Sequence, residues 1–375
     1  MSVRAVIEEW KRFDFEGFFA SVRPTHVEAV LAKEGGLSPH DLLVLLSPAA
    51  VPFIEEMARK AHRLTVQHFG RVISLYTPLY VSNYCVNRCV YCGFHAGAPV
   101  QRRRLSFEEI EQEAEAIARR GFRDVLLLTG EDRRRSPISY IEEGIRILTR
   151  FFPSVGIEIY PLEEDEYRRL VRAGVDYLTL YQEVYHPEEY PRFHPGGPKA
   201  DYAYRLLAPE RAARAGIRAI TVGALLGLGE WRRETFFTAL HARYLSRAFP
   251  EVEVGVSLPR LRPCVGGFTA PHPAGERDLV QAVLAHRLFS PHCGISLSTR
   301  ERAFVRDHLI GLGVTRMSAA SVTAVGGHAT RAEEGQFEVA DTRGVREVCE
   351  AIRARGFQPV FQNWVEGLAG VGGGR

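Results

Sequence analysis

Eight β-branched runs, each followed by a helical stretch, predict a closed parallel (β/α)8 barrel of the TIM type for this 375-residue chain. Three observations carry the expectation. From residue 72 onward strand-like and helix-like patterns alternate strictly, as parallel strands joined by crossover helices require. Their number, eight, is the number that closes a barrel. The length also suits one barrel with an N-terminal extension, although length alone equally allows two domains.

The first 70 residues read as helical. Ser38 stands as N-cap with Pro39 at the first helical position, LLVLL (42–46) supplies an apolar face, and Pro48 stops the helix. Val51 to Gly70 reads as one longer amphipathic helix ending at the glycine. Residues 1–70 are therefore expected to pack on a barrel spanning 71–365, and the Gly-rich stretch 366–375 reads as a flexible tail. The candidate strands are 72–82, 124–129, 155–161, 175–181, 217–227, 252–258, 294–299 and 314–321. Helices begin near Ser106, Pro137, Glu163, Asp201, Trp231, Gly275, Arg302 and Gly344. Acidic first turns mark several of them, as in SFEEIEQEAEAI (106–117).

Composition narrows the function classes. A net charge of +3 gives no general attraction to nucleic acid, and the Arg-rich runs Gln101–Arg104 and Arg133–Arg135 lack interleaved aromatics. No apolar run reaches the roughly 18 residues of a membrane span, and the N-terminus has no apolar signal-peptide core. A hydrolase nucleophile elbow, G-x-S-x-G, is absent. Six cysteines, three of them clustered, fit a reducing cytoplasm and a metal site better than a disulfide scaffold.

That cluster lies in YVSNYCVNRCVYCGF (80–94), which spaces Cys85, Cys89 and Cys92 as C-x3-C-x2-C. Three close thiolates can hold an iron–sulfur cluster and leave one iron open to a small molecule. Zinc is the alternative on spacing alone, with His95 as a possible fourth ligand. The spacing, with Tyr91 directly before the third cysteine, resembles the signature of radical S-adenosylmethionine (SAM) enzymes.

In such barrels the chemistry sits at the carboxyl ends of the strands. Glu131 follows the second strand and suits an ammonium group. Gln182 and Glu183 follow the fourth and suit ribose hydroxyls, and Gly223 and Gly227 would let backbone approach a flat base. Arg300 ends the seventh strand, where a guanidinium needs a carboxylate partner. That partner is either a protein side chain, such as Glu301, or an amino-acid substrate; Arg260 and Arg262 are competing candidates. Cys264, Cys293 and Cys349 are scattered and read as bystanders.

Beyond the cysteine motif, LLLTGE (126–131), YQEVYH (181–186), PRLRPC (259–264) and LSTRE (297–301) resemble the tyrosine lyases of thiamine biosynthesis, the 2-iminoacetate synthase family. The resemblance runs nearly end to end. It implies a (β/α)8 barrel with a 4Fe–4S cluster on Cys85, Cys89 and Cys92, and reductive cleavage of SAM to methionine and a 5′-deoxyadenosyl radical. It further implies Cα–Cβ cleavage of L-tyrosine to 2-iminoacetate and p-cresol, with the imine passed to thiazole synthase. A flavodoxin- or ferredoxin-type protein would donate the electron. By position, Tyr91 would lie by the adenine, Glu131 and Glu183 would contact SAM, and Arg300 would grip the tyrosine carboxylate with Ser321 beside it. Hydrogenase-maturation tyrosine lyases share the barrel but add a C-terminal cysteine cluster, which FQPVFQNWVEGLAGVGGGR (357–375) does not supply. A tryptophan lyase, a deazaflavin-type synthase or a non-catalytic iron–sulfur electron carrier would share the cysteine loop. An electron carrier would need neither an open iron nor an arginine clamp.

Overall fold

The computed structural model describes residues 2–329 and 334–361. Its centre is a ring of parallel strands: β1 (Val72–Ser82), β2 (Asp124–Thr129), β3 (Ser154–Glu158), β4 (Tyr177–Glu183), β5 (Ala219–Ala224), β6 (Glu253–Ser257), β7 (Gly294–Leu297) and β8 (Arg316–Ser318). β1 pairs with β2 on one side and with β8 on the other, so the sheet closes on itself. A ninth strand, β9 (Gln358–Val360), adds to the start of β1 through Val72, Ile73 and Ser74. The sequence pattern had not marked it, because three residues are too few to carry a period.

The expected strands and helices are present, with shifted strand ends. β3 stops at Glu158 rather than 161, while β4 starts two residues late and runs on to Glu183. Strand interiors are apolar because helices cover the outer face of a parallel sheet. Val125, Leu127, Val155, Ile157, Leu178, Val222 and Val256 are fully buried or nearly so. Outward positions pack against helices such as Trp231–Ala248 and Glu276–Phe289.

The helices of residues 3–69 lie against those two outer helices and share one continuous core with the barrel. Ser38 caps as expected: its Oγ accepts from the Asp41 N–H at 3.2 Å, and the Asp41 carboxylate accepts from the Ser38 N–H at 2.9 Å. The single helix expected over 51–70 is instead a 3-10 segment, Pro48–Phe53, followed by an α-helix, Ile54–Phe69. Pro52 has no N–H to give to an α-helical turn, so regular winding starts beyond it. No described helix is long and apolar enough to cross a membrane. The tail read at 366–375 lies outside the described residues.

One buried acid anchors the upper rim. Glu234, on helix Trp231–Ala248, is completely buried and accepts the Tyr185 N–H at 2.6 Å, fixing the chain just beyond β4. Burial pushes its carboxyl up to about 7.

Candidate active site

Beyond β1 the chain enters the cysteine loop, and backbone hydrogen bonds strap this loop to two neighbours. The Val86 N–H donates to the Glu131 carbonyl at 2.9 Å, beyond β2. The Arg88 and Val90 N–H groups donate to Gly196 (3.0 Å) and Phe193 (3.2 Å), beyond β4. Asn87 ties the straps together: its Nδ2 donates to the Glu131 carboxylate at 2.6 Å and its Oδ1 accepts from the Lys199 N–H at 2.8 Å. Gly93 must be glycine, because any Cβ there would run into the backbone carbonyl of Gln336.

The three motif cysteines are free thiols; Cys89 is buried, and Cys85 and Cys92 are half-buried. Burial pushes the Cys89 thiol up to about 12 despite the nearby Lys199 ammonium. Burial, then the neighbouring Cys92, also raises Cys85. Cys85 and Cys89 therefore each give up a proton on binding a metal. Among the described residues, no three His, Cys, Asp or Glu side chains converge as ligands of a single ion. Three cysteines on one loop suit a polynuclear cluster, whose cysteines bind separate irons. His95 turns away and accepts the Gly97 N–H at 3.2 Å. Cys264 touches the loop without belonging to the cysteine trio: its Sγ–H donates to the Tyr91 carbonyl at 3.2 Å.

Cys92 opens onto a cavity inside the carboxyl end of the barrel, together with Tyr91, Glu158, Glu183, Lys199, Arg300 and Ser321. Tyr91 is held by His194, whose Nε2 lies 2.8 Å from the phenolic oxygen. The His194 Nδ1 sits 2.9 Å from the Tyr190 carbonyl, which can only accept, so Nδ1 carries the proton and Nε2 accepts from Tyr91. Burial, then Lys199, pushes the imidazolium down to about 2, so the ring stays neutral. Glu183 and Lys199 pair at 2.7 Å on the cavity wall. Burial would raise Glu183, but Lys199 and then Arg205 outweigh it and hold the carboxyl below its ordinary value. Below the cavity, the Arg316 guanidinium stacks under Tyr76 at 4.3 Å and Tyr177 at 4.1 Å. That stack closes the barrel interior from beneath.

Arg300 has no carboxylate partner among the described residues. Glu301, its sequence neighbour, is taken by Arg260, with Nε 3.0 and 3.1 Å from its two oxygens. The Arg300 guanidinium rests instead 3.4 Å from the Phe337 ring centroid, facing the cavity. Ser321 lies on the same wall, and its Oγ is buried without a hydrogen-bond partner among the described residues.

Four expected site residues do not line the cavity. Glu131 stands behind the cysteine loop and holds it through Asn87. Gln182 is buried on the outer side of β4, with its Nε2 3.5 Å from the Tyr202 carbonyl. Side chains alternate along a strand, so Tyr181 and Glu183 point inward and Gln182 cannot. A bulge follows Tyr181, and Glu183 sits at φ +70°, a conformation uncommon outside glycine. Gly223 and Gly227 are small for packing reasons. A Cβ on Gly223 would collide with the Ser257 carbonyl and the Tyr181 ring, and one on Gly227 would meet Leu261 at 3.1 Å.

Several residues of the site had no place in the sequence reading. Glu158 was hidden because the strand end was set at Tyr160–Pro161, three residues too far. The signal was a lone carboxylate inside the apolar run SVGIEIY (154–160). Lys199 and His194 come from the irregular segment after β4, which carries no period. Gln336 bridges Tyr80, whose O–H donates to its Oε1 at 2.9 Å, to the Cys92 sulfur, 3.4 Å from its Nε2. Only folding brings it there.

Residues 79–238 match the Radical SAM superfamily, and residues 257–358 match the Biotin and Thiamin Synthesis associated domain. The chain is 41% identical over 330 residues to the 2-iminoacetate synthase of Salmonella typhimurium, covering 88% of each chain. It is 39% identical over 362 residues to the 2-iminoacetate synthase of Escherichia coli, covering 95% of this chain and 96% of that one. Among solved structures, the FeFe-hydrogenase maturase HydG from Carboxydothermus hydrogenoformans superposes with a TM-score of 0.85 at 33% identity, over 96% of this chain and 83% of that one.

Proposed function

The chain belongs to the 2-iminoacetate synthase family of the radical SAM superfamily, and on that premise we propose how its residues divide the work. It is a radical SAM carbon–carbon lyase that uses a 4Fe–4S cluster and SAM. Its reaction splits the Cα–Cβ bond of L-tyrosine into 2-iminoacetate and p-cresol and serves thiazole formation in thiamine biosynthesis. When bound, the cluster and SAM supply reductive cleavage of the sulfonium and the hydrogen abstraction that starts the lysis.

In this reading Cys85, Cys89 and Cys92 would hold the cluster, with Cys92 the ligand that lines the cavity. Tyr91 and Glu183 border SAM, with Lys199 fixing Glu183. Glu131 acts at one remove by holding Asn87. Gln182, Gly223 and Gly227 shape the wall from behind. Arg300 grips the tyrosine carboxylate in a two-point hydrogen bond, and Ser321 contributes its unpartnered hydroxyl beside it. The observation that supports this assignment best is the Arg260–Glu301 pair, which leaves Arg300 as a guanidinium facing the cavity that Cys92 enters. The Tyr76–Arg316–Tyr177 stack keeps water out from below, which protects a radical and an imine alike.

The imine product would pass to thiazole synthase, and a flavodoxin- or ferredoxin-type protein would supply the electron. A reducing cytoplasm suits the six free cysteines. The helices of residues 3–69 serve as a support for the barrel of β1 to β8. Anaerobic incubation of the reconstituted protein with dithionite, SAM and each aromatic amino acid tests the assignment. Cresol and glyoxylate, the hydrolysis product of the imine, are expected from tyrosine alone. Skatole from tryptophan, or no 5′-deoxyadenosine at all, would refute it.

A further inference from the structure

The cavity holds one carboxyl group that no role above employs. Glu158 ends β3, its side chain reaches the cavity wall, and it makes no hydrogen bond with any described residue. In the closed ring, β3 and β7 are four strands apart in either direction, so Glu158 and Arg300, just beyond β7, stand on opposite sides of the cavity. A tyrosine held by its carboxylate on Arg300 and lying across the cavity would bring its phenol to the β3 side.

We propose that Glu158 is the general base for the substrate phenol. The phenolic O–H bond breaks, the proton passes to a Glu158 carboxylate oxygen, and the electron pair stays on the phenolate oxygen. The same proton returns to the cresol oxygen before release, so the carboxylate is regenerated each turn. The proposal rests on tyrosine as the substrate and on Arg300 as its carboxylate anchor.

The surroundings of Glu158 suit the task. Burial, then the negative Glu183 on β4, pushes its carboxyl up to about 7, against the pull of Arg300, Lys199 and Arg205. Tyr76 and Tyr80 on β1 and Tyr181 on β4 also face it, and burial raises all three phenols, so they remain protonated. Glu183 stays ionised in its pair with Lys199. Glu158 is left as the acid whose protonation changes near neutrality. An acceptor near 7 is closer to a phenol, at about 10, than an ordinary carboxylate, and proton transfer is easier for it.

The test compares wild type, Glu158→Gln and Glu158→Asp with tyrosine and with 3-fluorotyrosine, a more acidic phenol. In Glu158→Gln, kcat for cresol falls about 100-fold or more with tyrosine, in the range general-base loss produces, and KM changes little. The deficit shrinks with 3-fluorotyrosine, and Glu158→Asp recovers part of it. Wild-type kcat falls as pH drops through about 7, and the Gln variant loses that limb. A readout independent of turnover is the 19F spectrum of 3-fluorotyrosine bound to the unreduced, SAM-loaded enzyme. Its phenol ionisation shifts downward in pH in Glu158→Gln, because the neighbouring negative charge that disfavours a phenolate is gone. Unchanged kcat and pH profile, or equal losses with both substrates accompanied by a large rise in KM, would overturn the role. Wild-type enzyme that makes no cresol from tyrosine would instead overturn the substrate reading, and the proposal with it.

Discussion

Arg260 and Glu301 form an ion pair across the top of the barrel, with the Arg260 Nε 3.0 and 3.1 Å from the two carboxylate oxygens. Glu301 is almost completely buried, so this pair is structural. The consequence lies one residue earlier in the chain. Arg300, deprived of its nearest carboxylate, faces the cavity.

Exchanging the two arginines separates structure from binding. Arg300→Ala is expected to lower kcat/KM for tyrosine by about 10–150-fold, the 1.5–3 kcal/mol of a hydrogen bond to a charged group, and to leave iron content and SAM affinity unchanged. Arg260→Ala strands the buried Glu301 and should cost about 3–5 kcal/mol of stability, read by thermal or denaturant unfolding. Normal turnover by Arg300→Ala would remove it from the substrate site.

Cluster loading provides the second separation. Cys89→Ala is expected to abolish bound iron and the visible absorbance of the reconstituted protein, and an anaerobic chelator should do the same to wild type. Cys264→Ala, which loses only a weak S–H bond to the Tyr91 carbonyl, should keep its iron. Iron and sulfide analysis of the two variants decides the point.

Gly223→Ala tests whether this glycine serves packing or cofactor contact. The added methyl meets the Ser257 carbonyl, a backbone atom that cannot swing aside. Overpacking of this kind costs about 1–3 kcal/mol. A lower unfolding midpoint with an unchanged dissociation constant for SAM is expected. Loss of SAM affinity at intact stability would restore the contact role.

Glu234 gives the fold a pH dependence of definite sign. Its folded-state value, about 7, lies above the ordinary 4.5. Its contribution to stability is therefore fully present below about 4.5 and is lost as pH rises through about 7. The difference amounts to about 3 kcal/mol for a shift of this size. Urea unfolding of wild type should weaken across that window relative to Glu234→Gln, whose neutral amide does not titrate. Parallel curves for the two proteins would show that Glu234 does not titrate there.

Local chemistry made much of this protein readable from its residues alone. The strand–helix alternation gave the barrel, Ser38 and Pro39 gave a helix start, and three cysteines on one loop marked the centre of the site. The LSTRE motif placed Arg300 just beyond the seventh strand, and the eighth candidate strand ended at Ser321, on the side where the cavity opens. All of these signals depend on residues within a few positions of one another, and short-range spacing preserves them. Folding alone decided the rest. The neighbours of Arg260, Lys199 and Gln336 come from distant segments that meet only when the ring closes. Whether Gln182 or Glu183 looks inward depends on strand parity after a bulge, and a strand end set three residues too far concealed Glu158. A linear pattern carries no record of which strands stand opposite each other, and across this cavity the opposition of β3 and β7 sets Glu158 against Arg300.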